Sequence, residues 1–432
     1  MREIGDYGAE RFDPDLIAGR PEVRRVGGAR PMKKILILDT GREWGGGTNS
    51  LLELLKRINR RRFDITVLFY EDVRMGDGPS IGDVVGSLGL PFLLKGRRPV
   101  PGWAKAAKEA ARIATWWNRP LRSRAVFAVD FRWKIRPDAD DIAKILREGR
   151  FDLLYMNNQP STNLEGILAA HAAGIPSIQH SRIETELNAY EVNAVNRLVT
   201  RMICVSDGVK ETFVSQGVAA EKCTVVYNGI DGQVSPKIPA DEIRRKWRIP
   251  ADQIVIGTVG SLIKRKRVGD FLKILALVSD GGKRRITGVI IGDGPEKRRL
   301  LEEAKRQGVD GICRFTGFQG EALSFINAMD VFVLPTEREG FPRVLLEAML
   351  MAKPVVASRV AGPEQLIADG ETGFLVPVGK TERFAAEIDR LAVDPGLRGR
   401  MGARARTMVV SQYSIGRYVE GVERVFQEVL GE

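Results

Sequence analysis

The stretch 331–352, VFVLPTEREGFPRVLLEAMLMA, narrows the folds open to this chain more than any other. Val331 to Leu334 is a short apolar run, the length of a buried strand. Pro335 ends it, and Thr336 to Gly340 is a polar turn closing on glycine. Pro342 then suits the first helical position, where its missing N–H costs nothing. Val344, Leu345, Ala348 and Met349 follow at helical spacing. The free N–H groups of such a helix start point to where the strand ends, which makes an anion site by geometry. Glu339 lies in the turn, and Glu347 stands eight residues further on. A carboxylate on either side of an anion site suits a ligand with phosphate in its middle and hydroxyls at both ends, such as a nucleotide sugar.

The rest of the chain repeats this plan twice. In the first half, KKILILD (Lys33 to Asp39), FDITVLFY (Phe63 to Tyr70) and FDLLYM (Phe151 to Met156) read as buried strands. Gly174 caps a helix that leads into the strand Pro176 to Gln179, a right-handed parallel crossover. In the second half, IVIGTV (Ile254 to Val259), Arg285 to Ile291 and Cys313 to Phe315 alternate with helices in the same way. The class is therefore α/β, with two Rossmann-like lobes facing a central cleft. The expected boundaries are a first lobe at 31–227, a second at 228–410 and a last helix at 411–432. Residues 1–30 lack a sustained apolar period and read as a disordered extension, with Met32 as an alternative start.

Three further stretches place polar chemistry at strand ends. Gly45, Gly46 and Gly47 follow the first strand and let backbone approach a ligand closely; a helix is expected from Ser50, capped by Thr48 or Asn49. The spacing is neither a dinucleotide fingerprint nor a P-loop. His180 ends a strand, where open sheets of this class place ligand groups. Lys264-Arg-Lys-Arg stands where Ile254 to Val259 hands over to its helix, and basic side chains there neutralise a diphosphate. Asp138 and Asp140 form an Asp-x-Asp that opens a helix and reads as capping, not as a metal site.

Glu339-Gly-Phe with Glu347 resembles the E-x7-E motif of retaining GT-B glycosyltransferases of the GT4 class. The segment VSDGVKETFVSQGVAAEKCTVVYNGID is similar to that family's first-domain end. The resemblance implies that Glu347 holds the ribose hydroxyls and Glu339 the sugar hydroxyls. It implies that Lys266 meets the diphosphate and that His180 adjoins the reaction centre. It implies too that the first lobe is the acceptor lobe, the second the donor lobe, and that the last helix crosses back to the first. Backbone around Gly340, Phe341 and Val344 would face the phosphates, Gly46 and Gly47 the acceptor side, and the strand end at Phe318 the base. The family's usual Arg directly after Gly260 is replaced by Ser261, and Arg265 is the substitute charge. No cofactor or metal is expected. The reaction implied is transfer of a sugar, with retention, to an acceptor hydroxyl, with a lipid-linked or cell-envelope glycan precursor as the expected acceptor. The alternatives are another two-lobed sugar-nucleotide enzyme, an epimerase or phosphorylase, and a degenerate nucleotide-sugar-binding protein.

Charge adds a partner. The net charge is +12, and between Lys95 and Arg136 twelve Lys/Arg face only Glu109 and Asp130. Four of the six Trp (Trp103, Trp116, Trp117, Trp133) share this segment. Tryptophan with basic residues on an amphipathic helix suits the headgroup layer of an anionic bilayer. No nucleic-acid module accompanies it, so nucleic acid is not the expected partner. Three Cys without metal spacing, no apolar leader and no run of about 18 apolar residues point to a cytoplasmic chain. The basic segment would hold it on the inner face of the membrane.

Overall fold

The computed structural model describes residues 32–42, 44–74, 78–282 and 285–432. The N-terminal extension expected at 1–30 lies outside them. Two parallel sheets organise the chain. The first holds β1 (Lys33–Asp39), β2 (Phe63–Phe69), β3 (Phe92–Leu94), β4 (Leu153–Asn157), β5 (Ser177–Ser181), β6 (Arg201–Cys204) and β7 (Cys223–Val225), in the order β3-β2-β1-β4-β5-β6-β7. The second holds β8 (Ile254–Val259), β9 (Ile286–Ile291), β10 (Cys313–Gly317), β11 (Val331–Leu334), β12 (Val355–Ser358) and β13 (Gly373–Val376), in the order β10-β9-β8-β11-β12-β13. Every strand pairing is parallel. The continuous apolar runs in β1, β2, β9 and β11 follow from this, because helices cover both faces of each sheet.

Each sheet reverses its winding once, between β1 and β4 and between β8 and β11. Loops leaving the two strands of such a reversal diverge to opposite faces, and the crevice left between their carboxyl ends is where this fold class takes ligands. Asp39, the glycine loop and Asn157 stand at the first reversal. The Lys264–Lys266 turn and the 335–342 turn stand at the second.

The helix Ile415–Leu430 leaves the second lobe and packs on the first. Phe426 meets Phe63 edge-on at 5.6 Å and Tyr155 at 5.3 Å. Tyr418 donates its hydroxyl to the Ser50 carbonyl at 3.2 Å. The chain thus passes between the lobes twice, and the two passages are hydrogen-bonded. Ile230 N–H donates to Tyr413 O, and Ile415 N–H to Ile230 O, each at 2.9 Å.

Three local expectations shift. The first helix is Gly46–Arg57, so it starts at the glycines and not at Ser50. Gly45 is its cap and supplies no side-chain bond, while Asn49 accepts from Trp44 Nε1 at 2.8 Å. Pro342 is the cap of Arg343–Leu350 rather than its first residue. Asp138 does not cap; it is buried in the helix Arg136–Glu148 and accepts from Lys95 Nζ at 2.8 Å. Burial of its carboxylate is compensated by that charge, which a solvent-facing cap would not need.

The basic segment is more than one surface helix. Helices Gly102–Ala114 and Arg119–Asp130 form a hairpin, and a π-helical turn, Phe131–Ile135, joins it to Arg136–Glu148. No helix among the described residues is long and apolar enough to cross a membrane.

Candidate active site

At the β8/β11 reversal two loops are stapled together by backbone. Glu337 N–H donates to Arg265 O at 2.9 Å, Thr336 Oγ1 donates to the same carbonyl at 3.2 Å, and Arg265 Nη1 donates to Arg338 O at 2.7 Å. The staple presses Lys266 Nζ onto the Glu339 carboxylate in a direct ion pair. Arg265 Nη1 stands 3.5 Å from the same oxygen, and the Thr336 hydroxyl, whose one proton the Arg265 carbonyl and this carboxylate share, lies 3.2 Å from it. Side-chain exposure is 15% for Lys266 and 9% for Glu339, so the pair is shielded from solvent. Lys266, Arg265 and Glu339 are therefore brought together as one charged cluster.

Gly340 explains how the turn meets the other lobe. A Cβ there would stand 2.2 Å from the Arg182 carbonyl oxygen, so only glycine lets the turn lie against the β5 loop. Phe341 turns away from the cleft. Its ring stacks on Tyr227 at 5.4 Å and meets Tyr413 at 5.3 Å, filling the hinge, and its carbonyl accepts from Asn228 Nδ2 at 2.9 Å. Only its backbone remains for ligand. The helix Arg343–Leu350 starts directly after, with Val344 half-buried in the first turn.

Glu347 lies one turn further, 3.7 Å from Arg343 Nη2. Burial raises its carboxyl above the ordinary glutamate value; Arg343 opposes the shift, and Glu53 across the cleft adds to it. Glu53 belongs to Gly46–Arg57, so this first-lobe helix faces Arg343–Leu350 directly. Phe318 stands 43% exposed just past β10, the outer edge strand of the second sheet, two strands from β8, whose end leads to Lys266.

On the first lobe, Gly46 has open space where a side chain would be, and Gly47 borders Arg182 and Asn158. The bare first turn of that helix thus looks into the cleft. His180 does not. It is fully buried, because along β5 it shares a face with Ile178 and points under the crossing helix. Its Nδ1 lies 2.5 Å from the Tyr155 hydroxyl. Arg182 Nη2 can only donate to that hydroxyl oxygen, at 3.3 Å, which leaves the Tyr155 proton for Nδ1. The network therefore assigns the histidine proton to Nε2, which has no partner among the described residues. Burial, with the Arg182 charge, holds the ring well below the ordinary histidine value, so it is neutral.

Sequence reasoning missed Arg182. Its guanidinium is buried with no ion pair among the described residues, donating to Asn157 Oδ1 (2.6 Å), Asn228 Oδ1 (3.1 Å) and the Tyr418 hydroxyl (3.1 Å). It ties β4, the hinge and the crossing helix to one point, and through Asn228 it reaches the Phe341 carbonyl. Asp39 was missed too: it accepts from Asn157 and from Asn158 Nδ2 (2.6 Å), while burial raises its carboxyl. The available signal was a run of polar residues at the ends of β1, β4 and β5, Asp39, Asn157-Asn158 and Arg182, where apolar strands stop.

With this geometry in hand, comparisons with known proteins are specific. The model for Glycosyltransferase Family 4 matches residues 44–233, and that for Glycosyl transferases group 1 matches 239–408. The lipopolysaccharide core biosynthesis glycosyltransferase LpsE of Rhizobium meliloti is 34% identical over 174 residues, 40% of this chain and about half (49%) of LpsE. The N-acetyl-alpha-D-glucosaminyl L-malate synthase of Bacillus anthracis is 27% identical over 68% of this chain and 78% of its own. The crystal structure of Anabaena Alr3699/HepE in complex with UDP and glucose superposes with a TM-score of 0.73 at 21% identity, covering 92% of this chain and 100% of that one. The two models meet at the hinge and between them take in both lobes; the chain belongs to the group 1 glycosyl transferases, with the family 4 first lobe and the GT-B fold.

Proposed function

We propose that the protein transfers a sugar, with retention, from a nucleoside-diphosphate sugar to an acceptor hydroxyl. The observation that carries this reading is the shielded Lys266–Glu339 pair at the β8/β11 reversal, beside a bare helix start. As folded, each group satisfies the other. A donor separates them: the diphosphate takes Lys266 and Arg265, and the sugar hydroxyls take the Glu339 carboxylate. The first N–H groups of Arg343–Leu350 add a positive dipole end to the phosphate side. Glu347, held one turn along that helix, accepts from the ribose hydroxyls.

The bond from the anomeric carbon to the diphosphate oxygen breaks while the acceptor oxygen bonds to the same face of that carbon. The acceptor proton passes to the departing phosphate oxygen, and the nucleoside diphosphate leaves. Charge builds on the leaving group, so Lys266, Arg265 and the helix start supply the main stabilisation. Neutral His180 offers at most an N–H donor from below, and no step uses it as a base. Neither metal nor cofactor is invoked.

Support for a nucleotide-sugar donor comes from the HepE structures, which hold UDP with glucose or UDP-glucose. A glycan-precursor acceptor, lipid-linked or of the cell envelope, agrees with the names of relatives in lipopolysaccharide core and capsular polysaccharide biosynthesis and of a diphosphoundecaprenol galactosyltransferase. Named donors among relatives include GDP-mannose and UDP-Gal, so the base is open. A thermal-shift screen against UDP, GDP, ADP and their sugars, followed by product NMR of the anomeric proton, tests the proposal. Stabilisation by one nucleotide series and an axial-to-axial (or equatorial-to-equatorial) outcome are expected. An inverted product, or a product formed without any acceptor, overturns it.

A further inference from the structure

The helical hairpin of the first lobe has a firm base and an unpartnered tip. At the base, Trp103 packs edge-on against Trp133 at 4.9 Å, and Lys108 Nζ pairs with Asp130 at 2.6 Å. Phe127 and Phe131 close on Tyr190 at 5.4 and 5.3 Å, fixing the hairpin to the lobe. Lys95–Asp138 (2.8 Å) and Arg97–Glu165 (3.0 Å) anchor the strand leading in. Toward the tip from Phe127 the hairpin makes no hydrogen bond or ion pair to another element among the described residues. Arg119–Asp130 buries no residue at all, and Gly102–Ala114 buries only Ala104. From the Lys108–Asp130 bridge to the turn the hairpin reaches about 10 Å, at about 1.5 Å per residue.

The tip is apolar at its end and basic around it. Ile113 is 71% exposed, Trp116 71%, Trp117 67% and Leu121 45%. Between 112 and 124 the chain carries Arg112, Arg119, Arg122 and Arg124 and no acid. Arg119, Arg122 and Arg124 make no ion pair among the described residues. Four such side chains offer roughly 400 Å² of apolar surface, about half of one partner's share in a stable protein interface. A second copy of this chain would also set these arginines against their own kind. An anionic lipid surface meets both halves of the patch: its phosphates take the arginines, and the indoles lodge at headgroup depth.

We infer that the 102–130 hairpin is a membrane-docking device that plunges its tip, Ile113, Trp116, Trp117 and Leu121, into the headgroup layer of an anionic bilayer. The exposed apolar surface is densest at the turn and continues down one face of Gly102–Ala114 through Ala110 and Ala106 to Trp103, so the tip enters deepest and that face follows it. Its place in the fold gives the docking a direction. The hairpin is inserted after β3, at the carboxyl edge of the first sheet, before Arg136–Glu148 runs back to start β4. That edge is the one bearing the glycine loop and the cleft, and Lys134 at the hairpin base feels the charge of Arg42 in that loop. Docking therefore turns the acceptor side of the cleft toward the lipid. The inference does not rest on the proposed reaction, and its test needs no turnover.

The full chain is floated with vesicles of phosphatidylcholine alone and of phosphatidylcholine mixed with phosphatidylglycerol. The wild type is expected to float with the mixed vesicles only, to be released by salt, and to show a blue shift of tryptophan emission on binding. Trp116→Ala with Trp117→Ala should abolish the blue shift and lower recovery at least tenfold. Arg119→Glu, Arg122→Glu and Arg124→Glu together should lower it at least a hundredfold, at roughly fivefold for each charge removed. Far-UV circular dichroism and nucleotide thermal shifts should be unchanged in both variants, since none of these residues lies in the cleft. Equal flotation of wild type and both variants overturns the inference. So does a tip-dependent dimer, seen by light scattering, in a protein that ignores vesicles.

Discussion

Substituting the two members of the Lys266–Glu339 pair separately should move nucleotide affinity in opposite directions. Lys266→Met leaves the Glu339 carboxylate with the Thr336 hydroxyl at 3.2 Å and Arg265 at 3.5 Å. Stripping a buried pair of one partner costs about 3–5 kcal/mol, and the remaining Arg265 should hold the loss to about 2–3 kcal/mol. Glu339→Gln keeps the shape and leaves Lys266 an amide oxygen and a path to the open cleft, at a cost of about 1 kcal/mol. A double-mutant cycle by urea denaturation, with unchanged m, should give a coupling of about 1–2 kcal/mol. Binding is the sharper reading. Lys266→Met removes a charge-assisted bond to the diphosphate and should weaken nucleoside diphosphate about 10–100-fold in a calorimetric titration. Glu339→Gln removes the carboxylate that pairs with Lys266 and competes with a phosphate for it, so the same nucleotide should bind several-fold tighter, while sugar transfer falls. If Glu339→Gln weakens the diphosphate as much as Lys266→Met does, the idea that a donor must separate this pair is wrong.

Glu347 has its folded pKa raised by burial, so the folded state holds its proton more tightly than the unfolded chain does. The sign follows: this group's contribution to stability falls as pH rises from the unfolded value through the folded one. Glu347→Gln should therefore raise the urea midpoint at neutral pH while lowering donor affinity; a lower midpoint would refute the burial argument. Gly340→Ala places a Cβ 2.2 Å from the Arg182 carbonyl and 2.9 Å from Val205 Cγ2. It should cost about 1–3 kcal/mol as overpacking and increase the radius of gyration in solution scattering as the lobes part. His180 is held neutral far below the ordinary histidine value. The pH profile of kcat should show no inflection near pH 6.5 that His180→Gln removes; finding one would place the ring in contact with solvent or substrate.

Much of the fold was legible because it is written locally. A strand of four to seven apolar residues, a turn with Gly or Pro and a helix with apolar spacing are each specified within a few positions. Val331 to Leu350 carries all three, and the expected strand Ile254–Val259 is the observed β8. The glycines after β1 misled the helix start, since glycine is acceptable both in a loop and in a first turn facing open space. The Asp138 reading failed for a related reason: a carboxylate near a helix start caps when exposed but needs a cation when buried, and Lys95 lies more than forty positions away.

The sequence by itself determined that there are two alternating lobes and that the ends of certain strands carry charge. It also marked 95–136 as basic and rich in tryptophan. Only the tertiary structure decided what those groups face. Lys266 neutralises Glu339, Phe341 fills the hinge, His180 lies under the crossing helix, and Arg182 joins β4, the hinge and Tyr418. These outcomes depend on which surface of one lobe, or of the returning helix, comes to lie opposite each strand end. Backbone propensity acts over a few residues, whereas burial and charge pairing are set by neighbours that can stand, as Tyr418 does from Arg182, 236 positions away.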